Sequence, residues 1–149
     1  MSLKNRIFLD TSTIVAAVFS ETGGARKLFQ LGEVEVLQLV IGPNVLRECE
    51  DVLRRKMPGS LPKLAHMLEL ARVETASQPP AELIEEARSI VEYRPDAYVL
   101  AEAMVAEPDW FITHDKEHFL DVRPVSRLSF RVGTPGDLIQ FLEDEHLQK

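Results

Sequence analysis

RIFLDTSTIV, residues 6 to 15, is an apolar run that stops on Asp10 and restarts behind Thr11, Ser12 and Thr13. Ile7, Phe8 and Leu9 have the composition of a short buried strand. From Thr11 to Ser20 the pattern is helical, and Glu21-Thr22-Gly23-Gly24 breaks it. A strand that runs into a helix through one acid gives that acid two possible roles. Its carboxylate can cap the helix by accepting a backbone N–H of the first turn. It can also form one wall of a site at the carboxyl end of the strand.

The same strand-then-helix alternation continues along the chain. VEVLQLVIG, residues 34–42, alternates and then runs apolar, which predicts a strand closed by Gly42-Pro43. ARKLFQLGEV before it predicts a helix ending near Gly32. NVLRECEDVLRRKM, residues 44–57, predicts a helix with Asn44 as its cap and Val45, Leu46, Cys49, Val52 and Leu53 as its apolar stripe. Further helices are expected in LPKLAHMLELARV, AELIEEARSIVEY, DAYVLAEAMVAE and GDLIQFLEDEH, with strands in VETAS, WFIT and LSFRVGTP. No internal repeat, low-complexity tract or linker interrupts the series. Strands alternating with helices predict an α/β fold, a single-domain α/β/α sandwich over residues 1–149 with a mainly parallel central sheet.

Composition bounds the function classes. The chain has 149 residues, 45% of them apolar and 28% charged, within the range of one globular domain. Its only cysteine, Cys49, excludes a disulfide within the chain and argues against a thiolate metal site. No secretory pattern opens the sequence, and no apolar stretch approaches the roughly 20 residues of a membrane-spanning helix. A cytoplasmic protein without membrane association is expected. The formal net charge of −7 does not advertise a nucleic-acid binder. A site that gathers carboxylates contributes to such a total, however, while holding cations that can face phosphate. The basic residues are dispersed: Arg26 and Lys27, Arg54 to Lys56, Lys116, Arg123, Arg127 and Arg131.

In parallel α/β folds ligands bind beyond the carboxyl ends of the strands, so each acid is judged by whether it reaches that edge. Asp10 follows Ile7-Phe8-Leu9 directly. Asp115 lies just beyond Trp110-Phe111-Ile112, with Thr113 placed to orient it. Asp96 shares the i, i+3, i+4, i+7 face of its helix with Val99, Leu100 and Ala103, so it points with the buried stripe. Glu102 falls off that stripe and reads as solvated. Glu107 and Asp109 read as loop acids. Glu48 and Glu50 flank the stripe of the 44–57 helix on opposite sides, and geometry does not choose between them. Carboxylates buried together require a proton, a hydrogen bond or a cation. An all-oxygen cluster suits Mg²⁺ or Mn²⁺, and such ions at an open cleft support phosphodiester hydrolysis.

These residues resemble the PIN-domain ribonucleases, particularly the VapC-like toxins of bacterial and archaeal toxin–antitoxin pairs. The resemblance rests on FLDTSTIVAAVFS with Asp10 and Ser12, VLRECEDVL with Glu48, PDAYVLAEAMVAEPD with Asp96, and WFITHD with Thr113 and Asp115. It covers almost the whole chain, through the closing FRVGTPGDLIQFL. It favours Glu48 over Glu50. It implies a Mg²⁺- or Mn²⁺-dependent endoribonuclease with Asp10, Glu48, Asp96 and Asp115 as metal-binding catalytic acids and Ser12 and Thr113 in support. It further implies an RNA substrate, an antitoxin partner, a homodimer and a prokaryotic source. Two features depart from the family pattern: Ala97 stands where many members carry a second polar or acidic residue, and residues 57–81 match little of it.

Two other classes fit parts of the sequence. A catalytically silent protein of the same fold would bind metal or antitoxin without cleaving RNA. A phosphoacceptor enzyme would use Asp10 covalently. Phosphatases of that kind want an acid two residues later, where Ser12 stands, and receiver domains want an acidic pair near the first strand, which is lacking.

Overall fold

In the computed structural model, which describes residues 4–91, 94–114 and 128–147, five short strands form one sheet. β1 (Asn5–Leu9), β2 (Leu37–Ile41), β3 (Glu74–Thr75), β4 (Trp110–Ile112) and β5 (Arg131–Gly133) are ordered β3-β2-β1-β4-β5, and all pairings are parallel. The central strands are apolar on both faces: Ile7, Phe8 and Leu9 and then Phe111 and Ile112 are fully buried. That is the signature of a parallel sheet covered on both sides. Phe8 and Phe111 stack across the β1–β4 pair with ring centroids 5.5 Å apart.

The helices are α1 (Thr11–Phe19), α2 (Gly24–Glu33), α3 (Pro43–Lys56), α4 (Leu61–Leu70), α5 (Ala81–Arg88), α6 (Arg94–Ala106) and α7 (Pro135–Leu147), with a 3-10 turn at Pro58–Ser60. The result is the expected α/β/α sandwich. Each expected strand and helix is present, with shifted ends. α2 continues past Gly32 to Glu33, and the left-handed residue that turns the chain into β2 is Glu35, at φ 63°. Arg72 and Glu107 do the same before β3 and β4, at φ 51° and 48°.

Two expectations about side chains are corrected. Asn44 does not cap its helix: Gly42 is the cap residue, Pro43 takes the first helical position, and Asn44 lies inside the first turn. Glu102 is not solvated but fully buried. α6 packs on α5, α3 and β2 together, so Ala97, Ala101 and Glu102 are covered as well as the Val99-Leu100-Ala103 stripe. A helix enclosed on several sides has no free polar face.

The chain proceeds outward from β1 to β2 and β3, then crosses back to place β4 on the other side of β1. The strand order therefore reverses between β1 and β4. In open α/β sheets, the carboxyl ends of the two strands at such a switch point form the ligand crevice.

Candidate active site

Asp10 and Thr113 are the first residues beyond β1 and β4, so the switch point sets them side by side. The Asp10 N–H donates to Ile112 O at 3.2 Å, and the Thr113 N–H donates to Gly133 O at 2.9 Å, which locks both backbones to the neighbouring strand ends. The Thr113 hydroxyl donates to Asp10 Oδ2. The Ser12 hydroxyl donates to Asp10 Oδ1 at 2.7 Å, and the Thr13 N–H donates to the same oxygen at 3.1 Å. The last bond is the helix cap foreseen for Asp10, so cap and site coexist. Ser12 Oγ also accepts the His114 N–H at 3.1 Å, tying the two strand ends together a second time.

Asp10 is 5% exposed. Burial raises its carboxyl above the usual range, against the opposing pull of the Thr113, Ser12 and Thr13 hydrogen bonds. Among the described residues these donors take three of the roughly four lone-pair sites a carboxylate offers.

Glu48 reaches the same place from α3. Thr11 Oγ1 donates to its Oε2 at 3.0 Å, and Asn44 Nδ2 donates to its Oε1 at 3.1 Å. Asp96 stands in the first turn of α6, half-buried. Asp10, Glu48 and Asp96 line one cleft of about 310 Å³ together with Thr11, Ser12, Val15, Val52 and Val99. Glu50, the alternative on α3, is not among its walls. A contiguous hollow carries Glu48 and Asp96 onward to Asp51, Arg55 and Pro95.

Asp115, the fourth acid expected here, lies outside the described residues, as do Lys116, Arg123 and Arg127. Thr113 gives its hydroxyl to Asp10, and the expectation that it orients Asp115 falls outside the described residues. Thr11 and Asn44 are additions that the sequence did not single out. Asn44 was within reach of reasoning, because it sits four residues before Glu48 on one helix face.

The donor set is all carboxylate oxygen, which fits a hard divalent cation such as Mg²⁺ or Mn²⁺. Burial of Asp10 with no cationic hydrogen-bond donor among the described residues is the observation that calls for such a counter-charge. Among the described residues no three His, Cys, Asp or Glu side chains are grouped closely enough to hold an ion unaided.

Fold and cleft together define an α/β/α protein with carboxylates converging on the switch point of a parallel sheet. The chain belongs to the PIN-domain family, whose profile matches residues 6–117. Its fold is similar to that of three solved structures. The VapBC2 complex of Rickettsia felis bound to a promoter DNA fragment aligns over 86% of this chain and 98% of that one, at 15% identity and TM-score 0.66. The DNA-bound VapBC of Salmonella typhimurium aligns over 90% and 99%, at 15% identity and TM-score 0.65. The Mycobacterium tuberculosis toxin VapC20, which cleaves the sarcin-ricin loop, aligns over 83% and 95%, at 18% identity and TM-score 0.50. No curated protein matches the sequence significantly.

Proposed function

We propose that this protein is a Mg²⁺- or Mn²⁺-dependent endoribonuclease, the toxin of a toxin–antitoxin pair, with Asp10, Glu48, Asp96 and Asp115 as its metal-binding catalytic acids. The observation that carries the reading is the meeting of Asp10, Glu48 and Asp96 in one cleft at the switch point. Membership of the PIN-domain family and the likeness in fold to VapC proteins support it. Asp115 joins the set by its place in Thr-His-Asp after β4.

A divalent cation held by Asp10, Glu48, Asp96 and Asp115 would supply charge stabilisation for a phosphodiester and acidify a water. The chain's own part is orientation. Ser12, Thr13 and Thr113 fix both oxygens of Asp10, while Thr11 and Asn44 fix both oxygens of Glu48. Arg55, on the rim of the contiguous hollow, is a candidate phosphate contact. Its Nε donates to Asp51 O at 3.3 Å, and no carboxylate among the described residues is within ion-pair distance of it. An antitoxin protein would be the physiological partner, with a homodimer in the cytoplasm as the working form.

The test is cleavage of a model RNA with Mg²⁺ or Mn²⁺, with chelator, and by Asp10→Asn. Cleavage that requires the metal and the carboxylate is expected. Mn²⁺ binding without cleavage would favour the catalytically silent alternative, and equal cleavage under all conditions would remove the proposal.

A further inference from the structure

Glu102 is a buried carboxylate that does not line the acidic cleft. It lies on α6 with 0% exposure. Its Oε2 accepts the Asn44 N–H at 2.7 Å, and the Val45 N–H also favours its charged form. Asn44 and Val45 are the second and third residues of α3, where N–H groups have no partner within the helix. Gly42, the cap residue, has no side chain to serve them. Glu102 therefore caps α3 from another element and sets an acid at the positive end of that helix.

The approach is so close that a Cβ on Gly42 would stand 2.3 Å from the Glu102 carboxyl group. Among the described residues, Glu102 Oε1 has no hydrogen-bond partner. A buried polar atom left in that state is costly, and an apolar residue with a conventional cap on α3 would avoid the cost.

What the arrangement provides is a connection. The residue held through its backbone by Glu102 is Asn44, and the Asn44 side-chain amide donates to Glu48 Oε1 at 3.1 Å. Asn44 Oδ1 accepts from Arg47 at 2.8 Å, which fixes the amide orientation. The same α6 that carries Asp96 thus also holds the base of the helix that carries Glu48.

We propose that Glu102 is a positioning residue: by capping α3 it places Asn44, and through Asn44 it sets the Glu48 carboxylate relative to Asp96. The inference rests on the reading of Glu48 as a metal ligand given above.

The experiment measures Mn²⁺ binding by titration calorimetry on the metal-free full-length chain, with Tm recorded for each variant. Asn44 side-chain amide resonances are followed in the absence of metal. Glu102→Met keeps length and volume but removes the acceptor. It is expected to weaken Mn²⁺ binding by about tenfold, the lower end for loss of a group that orients a ligand, and to shift the Asn44 resonances. Glu102→Gln keeps a carbonyl oxygen as acceptor and is expected to restore most of the affinity and the resonance position. If Glu102→Met folds poorly, Gly42→Ala displaces the carboxylate instead and is read the same way. A lowered Tm with unchanged affinity and unchanged Asn44 resonances would reduce Glu102 to a structural cap and overturn the proposal, as would a Gln variant no better than Met. A wild-type chain that binds no Mn²⁺ would instead defeat the metal-site reading, while the Asn44 resonances would still decide the link from Glu102.

Discussion

At Asp10 one carboxylate both caps α1 and lines the cleft: Oδ1 accepts the Thr13 N–H and the Ser12 hydroxyl while Oδ2 accepts from Thr113. Burial raises the carboxyl pKa of Asp10 above 3.8 and that of Glu102 above 4.5. A raised folded pKa means that the fold favours the protonated form. Each such contribution is complete below the unfolded pKa and is lost as pH rises through the folded one. In metal-free protein, Asp10→Asn should therefore melt above wild type at pH 7.5, with the gap closing toward pH 4. Mn²⁺ should raise the wild-type Tm most at the higher pH. A thermal-shift series over pH with and without Mn²⁺ checks both, and a gap that does not vary with pH would contradict the assignment. Cys49 offers a second test at this scale. It is fully buried, and burial, with Asp10 and Glu48 nearby, pushes its thiol up to about 12. The thiolate is the reactive form, so iodoacetamide at pH 8 should leave the folded protein unmodified and label it once it is unfolded in urea, as read by mass spectrometry.

Between elements, single side chains do the joining. Arg6 of β1 holds Glu74 of the edge strand β3 through two bonds of 3.0 and 2.9 Å, and it also donates to Ala106 O at the end of α6. Hydrogen bonding to Arg6 lowers the Glu74 pKa from 4.5. Here the sign is opposite to that of Asp10: the stabilisation is present above pH 4.5 and lost as pH falls through the folded pKa. Both partners are over a third exposed, which limits the pair to about 0.2–1 kcal/mol. Glu74→Gln should cost about that much in urea unfolding at pH 7 and nothing near pH 3. The basic residues also sort themselves by their neighbours. Arg26 donates to Ala17 O at the end of α1, Arg131 lies over the Trp110 and Phe141 rings, and Arg54 pairs with Asp51. Composition shows none of this, because a cation's partner is set by packing.

Over the whole molecule, the strand order decides where chemistry can occur. The switch point between β1 and β4 gathers residues about a hundred positions apart, and the cleft opens toward Arg55. If Arg55 contacts RNA backbone, Arg55→Ala should weaken binding of an Asp10→Asn chain similarly for all sequences and reduce the slope of log K against log salt by about one unit. An unchanged slope in a filter-binding series would remove Arg55 from the interface.

The amino-acid order alone determined the element types and the strand ends at which Asp10 and Thr113 stand, because apolar periodicity and turn residues act over a few positions. It also placed Asp96 on a buried face, since one helical stripe fixes that direction. The reading of Glu102 as solvated failed because a helical wheel knows one packing face, whereas α6 meets α5, α3 and β2. Asn44 was misread as a cap because a carboxylate 58 residues away serves the N-terminus of α3. The left-handed turns at Glu35, Arg72 and Glu107 carry no glycine to announce them. The resemblance already favoured Glu48 over Glu50, whereas strand order and the hydroxyl of Thr113 on Asp10 were decided only in three dimensions, where long-range pairing and burial, which no local pattern encodes, select each partner.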